Sequence, residues 1–300
     1  MIDAKLILHS KAPHGDELIS IEAYAPYFLD AEIEKHGQIC SNSSSNRAIP
    51  FNKMMVADYY IPTDVRKNQS GMQGTECLSD GEIEDWYRHI NDLRDYTVIK
   101  LNAVYDTLNV HKQHLNRYLA PWSMQRKILT GTREAWNNVM ELRDHPDADP
   151  NIQIWAKKIH KILVESNPTN LDYGEWHLPY ITKKDAGEVY EYFFEESVEE
   201  TLLKISAARC ARTSYRLFDG SDTTVDKDLK LFDKLVGQKP YHATPLEHQG
   251  LCIKPREPEH PHFWDRGITH IMRDGQIGSG RLTGWVQYRH WYDYAPSSNS

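Results

Sequence analysis

Eight consecutive residues, Cys40-Ser-Asn-Ser-Ser-Ser-Asn-Arg47, bring hydroxyls, carboxamides and a terminal guanidinium together. Loop N–H groups and hydroxyls can ring an anion, and an arginine fork matches a phosphate with two parallel hydrogen bonds. The same composition also describes a solvated, flexible loop. Position favours the cradle: the segment follows an apolar/polar alternation over Leu18–Tyr24 and helical spacing over Tyr27–His36, and Ala-Ile-Pro ends it in an ordered way. Arg143 is the second candidate. Behind Thr132, a hydroxyl suited to cap a helix, the residues Trp136, Val139, Met140 and Arg143 share one stripe, so an arginine faces inward among apolar residues. Such a charge must find an acceptor. Glu134, Glu141 and Asp144 could form a structural ion pair with it, and an anionic ligand is the alternative. Arg117, upstream of the same helix, could join Arg47 and Arg143 around one anion.

Tyr241-His-Ala-Thr-Pro-Leu-Glu-His248 packs two histidines, a threonine and a glutamate beside a proline turn. Its His-x5-His spacing is not a usual zinc pattern, so a capping or hydrogen-bonding segment is expected and no metal. Gly174-Glu-Trp-His-Leu-Pro-Tyr180 lacks a second histidine and is broken by Pro179, and Glu259-His-Pro-His262 reads as an exposed loop. The chain has no Walker A motif, no G-x-G-x-x-G and no G-x-S-x-G, which removes the main support for P-loop, dinucleotide-fold and serine-hydrolase chemistry.

The elements that must position these groups are mostly helical. Leu18–Tyr24 reads as a strand, and Tyr27–His36 as a helix stopped by a left-handed Gly37. Ser79 and Glu82 form a capping box ahead of one long helix, or two, over 80–113. Asp149-Pro150 opens a helix with Ile152, Trp155, Ala156, Ile159, Ile162 and Leu163 on one face. Ser197 with Glu200 caps another, on which Leu202, Ile205, Arg209 and Arg212 share a face, and Leu229, Phe232, Leu235 and Val236 mark a short helix closed by Gly237. Few strands are evident. The one compositional break is the Pro/His-rich piece Pro255–Trp264, where no domain boundary is placed.

Composition narrows the classes. The 300 residues carry 35 Lys+Arg against 43 Asp+Glu, a formal charge of −8, and 40% of the chain is apolar. A basic surface for nucleic acid is therefore not expected. Apolar runs are short, and Met1-Ile-Asp-Ala-Lys lacks the basic-then-apolar pattern of a signal peptide, so neither membrane nor secretion is expected. Four cysteines, Cys40, Cys77, Cys210 and Cys252, stand far apart with no C-x-x-C, which fits a reducing cytoplasm.

Together the segments resemble the flavin-dependent thymidylate synthases. The signature R-H-R-x-x-S-x-N-x-x-S-x-R aligns without gaps on Lys35–Arg47, matching at His36, Asn42, Ser45 and Arg47. Downstream, Asn116-Arg-Tyr-Leu-Ala-Pro, Thr130-Gly-Thr-Arg-Glu-Ala-Trp and Glu141-Leu-Arg-Asp-His-Pro look like that family's nucleotide and flavin segments. Ser206-Ala-Ala-Arg-Cys-Ala-Arg-Thr-Ser-Tyr215 and His242-Ala-Thr-Pro-Leu-Glu-His248 resemble elements that precede the signature in most members but follow it here. That order resembles the circularly permuted branch, to which Lys67-Asn-Gln-Ser-Gly-Met-Gln-Gly74, Tyr173–Tyr180 and Gly284-Trp-Val-Gln-Tyr-Arg289 are also similar.

The resemblance implies an α/β fold, a mixed sheet flanked by helices, in a single permuted catalytic domain over 1–300. Its signature segment would be 16–50, its nucleotide and flavin helices 80–165, and its usual N-terminal part 197–250. It implies FAD as cofactor, NADPH and methylenetetrahydrofolate as co-substrates, conversion of dUMP to dTMP, and a homotetramer with shared active sites. Helical stripes that mix Arg143, Arg209 and Arg212 with large apolar residues point the same way, toward an oligomer. The implied catalytic residues are Arg143, at the uracil edge, and Ser45. Glu32, Ser43, Ser44, Ser45, Asn46, Arg47 and Arg117 would hold the nucleotide, and His36, Asn42, Thr132, Ser214, His242, Thr244 and Glu247 the FAD. Lys35, Gly37, Cys40 and Ser41 depart from the usual family residues. A hydroxymethylase acting on dUMP or dCMP is the nearest rival, and an inactive nucleotide-binding relative the next.

Overall fold

The alternation over Leu18–Tyr24 lies within strand β2 (Glu17–Pro26) of the computed structural model, which describes residues 1–71, 73–192, 195–214, 223–254, 269–271 and 276–294. β2 is central to a sheet of order β3-β4-β2-β1-β5, with β1 (Asp3–Lys11), β3 (Cys40–Ser43), β4 (Met124–Thr132) and β5 (Thr169–Asn170). All neighbours are antiparallel except β1 and β5, so the sheet is mixed. A second sheet has the order β10-β7-β6, from β6 (Trp176–His177), β7 (Gly250–Cys252) and β10 (Trp285–Gln287). Strands β8 (His270–Ile271) and β9 (Ile277–Gly278) pair with each other. The helices in chain order are α1 (Asp30–Ile33), α2 (Phe51–Met55), α3 (Asp80–Leu108), α4 (Lys112–Leu119), α5 (Arg133–Arg143) and α6 (Pro150–Glu165). They continue with α7 (Lys183–Tyr192), α8 (Glu195–Ala211), α9 (Val225–Val236) and α10 (Tyr288–Tyr294). The architecture is the α/β arrangement expected, a mixed sheet flanked by helices.

Both faces of β2 are buried. Ile19, Ile21, Ala23 and Ala25 pack with Trp136 and Val139 of α5 and with Ile152, Trp155 and Ile159 of α6. Each large apolar side chain so buried stabilises by about 1.5–3 kcal/mol. The alternate residues turn toward the second sheet, where the polar ones find partners. Ser20 lies opposite Thr130 in the register, and their hydroxyls are 2.7 Å apart. His177 bridges Ser20 and Ser10, each at 2.8 Å, and His248 Nδ1 lies 3.0 Å from the Thr130 hydroxyl. Burial pushes both imidazoles down to about 3, so they are neutral members of a polar seam between the two layers.

Several sequence expectations need correction. Tyr27–His36 is a 3₁₀ turn, Tyr27–Leu29, followed by the four-residue α1, and Gly37 does not take the left-handed conformation. The segment 80–113 holds one long helix: both limbs of the Ser79–Glu82 capping box form, and Asn109, at φ 49°, closes α3 before α4 begins. Ser197 lies inside α8 rather than at its cap. Strands β1 and β4 escaped the periodicity reading; in β4, covered on both sides, apolar residues such as Ile128 and Leu129 stand side by side. The stripe of Arg209, on α8, and Arg212, in the turn after it, is not an outward surface. Arg209 binds Asp185 and Asp228, and Arg212 binds Asp228. Tyr215, Pro255–Trp264 and the histidines within that piece lie outside the described residues. Among the described residues no helix is long and apolar enough to cross a membrane.

Candidate functional site

The polar segment read as a loop opens with an edge strand. β3 pairs with β4 from Cys40↔Thr130 to Ser43↔Lys127, and a strand sends successive side chains to opposite faces. Ser41 turns toward α1, its hydroxyl donating to Glu34 Oε1 at 2.7 Å, beside the buried Lys127 that pairs with Asp30 and Glu34. Cys40 and Asn42 turn the other way. Gln287 donates to Cys40 Sγ at 3.2 Å, and Asn42 donates to the Cys210 carbonyl at 2.8 Å while accepting from the Thr244 hydroxyl at 3.2 Å. The pleat therefore separates two sets of candidates that sequence order places side by side.

Beyond β3 the chain turns, and the turn is held from beneath. Ser44 extends the pairing with Arg126, its N–H donating to the Arg126 carbonyl at 2.9 Å and its hydroxyl accepting from the Arg126 N–H at 3.2 Å, and Gln125 donates to the Ser44 carbonyl at 2.9 Å. Asn116, 1% exposed, donates to the carbonyls of Asn46 and Ile49 at 2.7 and 2.9 Å, and Lys112 to that of Ala48 at 2.9 Å. The Ser45 hydroxyl accepts the Arg47 N–H at 3.3 Å. A flexible linker would leave these carbonyls to water, so the segment is an ordered turn. Arg47 and Arg117 stand next to the bonded pair Asn46 and Asn116, and both are exposed. Among the described residues no hydrogen bond or ion pair engages either guanidinium.

Arg143 ends α5 and reaches across to the chain after β2. Its Nε–H donates to His36 Nε2 at 3.0 Å, one terminal nitrogen to Glu32 Oε2 at 3.2 Å, and the other to the Glu32 carbonyl at 3.5 Å. The acceptor is thus Glu32, not the sequence-near Glu134, Glu141 or Asp144. Glu32 and His36 face the same place, as their one-turn spacing implied. They adjoin an open cleft of about 600 Å³ that Arg143 and His36 line with Lys35, Gln38, Glu134 and Asn138. Burial, and then the neighbouring Arg143 charge, push the His36 imidazole below its ordinary 6.5, which keeps Nε2 free to accept. The sequence reading missed Gln38, Glu134 and Asn138 as lining groups. The i, i+4 spacing of Glu134 and Asn138, on the side of α5 away from the buried Trp136 and Val139, could have found the last two.

The residues expected at a flavin divide. Asn42 and Thr244 meet, Ser214 closes a 3₁₀ turn, Arg212–Ser214, whose Thr213 hydroxyl lies 3.5 Å from the Asn42 amide, and His242 is exposed on the approach to Thr244. Glu247 is buried and bonded to Arg289, with Arg281 at 3.8 Å; the sequence offered Arg289 only as the end of the Gly284–Arg289 segment and Arg281 not at all. His36 and Thr132 lie elsewhere: His36 on Arg143, and Thr132 with its hydroxyl accepting the Ala135 N–H at 3.2 Å as the cap of α5.

Cys40, the cysteine nearest these residues, is unfit as a nucleophile. It is buried, and burial, with the nearby Glu247 charge, pushes its thiol up to about 12. A competent thiolate needs the opposite shift and a positioned base. We expect Cys40→Ser to keep most of any turnover and no nucleotide adduct to form on Cys40. Loss beyond about a hundredfold, the scale of a catalytic group, with a trapped adduct in the mass spectrum, would contradict this.

No family model and no curated relative matches the sequence. Two solved structures of a UMP/dUMP methylase, PolB from Streptomyces cacaoi, are similar over part of the chain. The form bound with 5-Br UMP covers 55% of this chain and 89% of its own, at 12% identity and a TM-score of 0.47. The form bound with 5-Br dUMP covers 55% and 90%, at 14% identity and a TM-score of 0.48. A likeness of this size carries no statement about the chemistry of this chain.

Proposed function

We propose that the chain is a flavin-dependent one-carbon transferase that methylates dUMP to dTMP, with methylenetetrahydrofolate as the carbon donor, NADPH as the reductant and FAD as the cofactor. One observation carries the reading: Arg143 is fixed by Glu32 and His36 at the edge of a cleft, and among the described residues two of its five N–H groups are uncommitted. Those two donors suit the carbonyl edge of a pyrimidine. Arg47, with Ser45, Asn46 and Arg117, supplies the positive, hydroxyl-rich turn that a phosphate and sugar require, and Ser43 and Ser44 shape it. The proposed catalytic residues are Arg143 and Ser45, and their work is orientation and electrostatics.

For FAD, the residues grouped around Asn42 and Thr244 fit in kind. Asn42, Ser214, His242, Thr244 and Glu247 would hold it, with the partly exposed Arg281 and Arg289 adding the cationic charge that a diphosphate needs. The bound flavin would supply the hydride. A permuted single domain and a homotetramer with shared sites belong to the same proposal, and the exposed Leu93, Tyr96 and Ile99 on α3 support assembly.

A hydroxymethylase acting on dUMP or dCMP is the second reading, favoured by Gly37. A side chain there would meet nothing within 4 Å, so the cleft is open where the family carries an arginine. Incubation with FAD, NADPH, methylenetetrahydrofolate and either nucleotide, followed by mass analysis, separates methyl from hydroxymethyl products. An unchanged nucleotide with a colourless protein that FAD does not reconstitute would leave a nucleotide-binding relative without chemistry.

Arg47→Ala is expected to weaken dUMP binding by more than about 1.5 kcal/mol, the lower range for a hydrogen bond to a charged group, with the fold unaffected because the side chain is exposed. An unchanged dissociation constant would remove the turn from the site.

A further inference from the structure

Arg143 is held by two acceptors from different places, the Glu32 carboxylate on α1 and the His36 ring in the turn after it. A single carboxylate leaves a guanidinium free to swing about the shared edge. A second acceptor on Nε fixes the plane. Since an arginine cannot accept a hydrogen bond, His36 Nε2 must be bare and its proton must sit on Nδ1. A second proton on His36 turns that acceptor into a donor and sets an imidazolium against the guanidinium at hydrogen-bonding distance.

We propose that His36 is a positioning residue for Arg143, accepting its Nε–H as a neutral imidazole and aligning the guanidinium for a pyrimidine nucleotide, so that nucleotide binding is opposed by proton uptake at His36. This rests on the nucleotide reading above and differs from a flavin contact at His36. The charged groups around the ring are few. Arg143 disfavours protonation, Glu32 on α1 favours it, and Lys35 and Glu134 bring one charge of each sign into the cleft. Asp144, beside Arg143, is occupied by His160 at 2.8 Å. Burial is the larger effect, the Arg143 charge adds to it, and the imidazole titrates below 6.5. A group whose value is lowered by its surroundings supports the ordered arrangement above its ordinary value. That support is lost as the pH falls through the lowered one.

The test is the dissociation constant for dUMP of the whole protein, wild type, His36→Gln and His36→Ala, at about pH 7.5 and about pH 5.5, with circular dichroism at each pH. Glutamine keeps a neutral acceptor that cannot protonate. Wild type is expected to lose affinity at the lower pH, by less than about tenfold because the imidazole titrates below 6.5, and His36→Gln to bind normally at the higher pH and lose at least about twofold less on acidification. His36→Ala is expected to bind about tenfold more weakly than wild type at the higher pH, with the gap narrowing at the lower one. Protonation of the phosphate is common to all three proteins, and the buried His177 and His248, at about 3, stay neutral across this range, so the difference reports His36. The same acid loss in His36→Gln as in wild type, or wild-type affinity in His36→Ala, overturns the inference. The ring ¹⁵N shifts of ligand-free wild type give an independent reading. A proton on Nε2 overturns the positioning role whatever the ligand, whereas Nδ1–H without any dUMP binding overturns the nucleotide reading instead.

Discussion

Arg143→Ala is expected to weaken dUMP binding roughly a hundredfold while the protein stays folded. The uncommitted N–H groups of Arg143 can make two charge-assisted hydrogen bonds, at about 1.5 kcal/mol each in their lower range, and about 3 kcal/mol is two decades of affinity. The structural cost is small because the Arg143 and Glu32 side chains keep 20% and 31% of their surface in water, so Glu32 is not stranded when its partner goes. Arg143→Lys should not restore binding, because a lysine carries a point charge and no planar fork to lie against His36 and a base edge at once. Calorimetric titration with dUMP, alongside thermal unfolding, reads both effects. An alanine variant that binds as wild type does would take Arg143, and with it the cleft, out of the function.

The largest effect on stability is expected at Asp228, far from that cleft. Its carboxylate is fully buried and accepts Arg209 Nε, Arg212 Nε and the Thr223 hydroxyl, each at 2.8 Å. Arg209 is further forked onto Asp185, so α7, α8 and α9 meet through these charges. Asp228→Ala leaves both arginines short of an acceptor in a largely dry place and is expected to cost about 3–5 kcal/mol. The melting temperature should fall by something on the order of 10 °C. Asp228→Asn, which keeps one acceptor oxygen, should cost less. A melting temperature unchanged and independent of protein concentration in Asp228→Ala would mean that the ion cluster does not hold these helices together.

These two residues show what local pattern can and cannot convey. The Arg143 stripe was visible because helical spacing is a local property. Thr132 could be named as the cap of α5 for the same reason, as could the Ser79–Glu82 box and the buried face of α6. The hydroxyls, amides and arginine at 40–47 were legible as parts of an anion site from residue type alone. The acceptors were not. Arg143 is met by Glu32, 111 positions earlier in the chain, rather than by any carboxylate within its own helix. Asp228 claims two arginines that, by periodicity, looked like a surface for another subunit.

The sequence by itself determined the helices with strong periodic faces, the strand nature of β2, and the kinds of side chain available for binding an anion. Each of these depends on neighbours within a turn or two of the chain. Tertiary structure alone decided that the presumed loop begins as β3, because an edge strand exists only when a partner offers its backbone in register. It also decided which face of each strand is solvated. A period of two says that side chains alternate, but it does not say whether the polar side meets water or, as with Ser20, Thr130, His177 and His248, another polar layer brought against it from far along the chain.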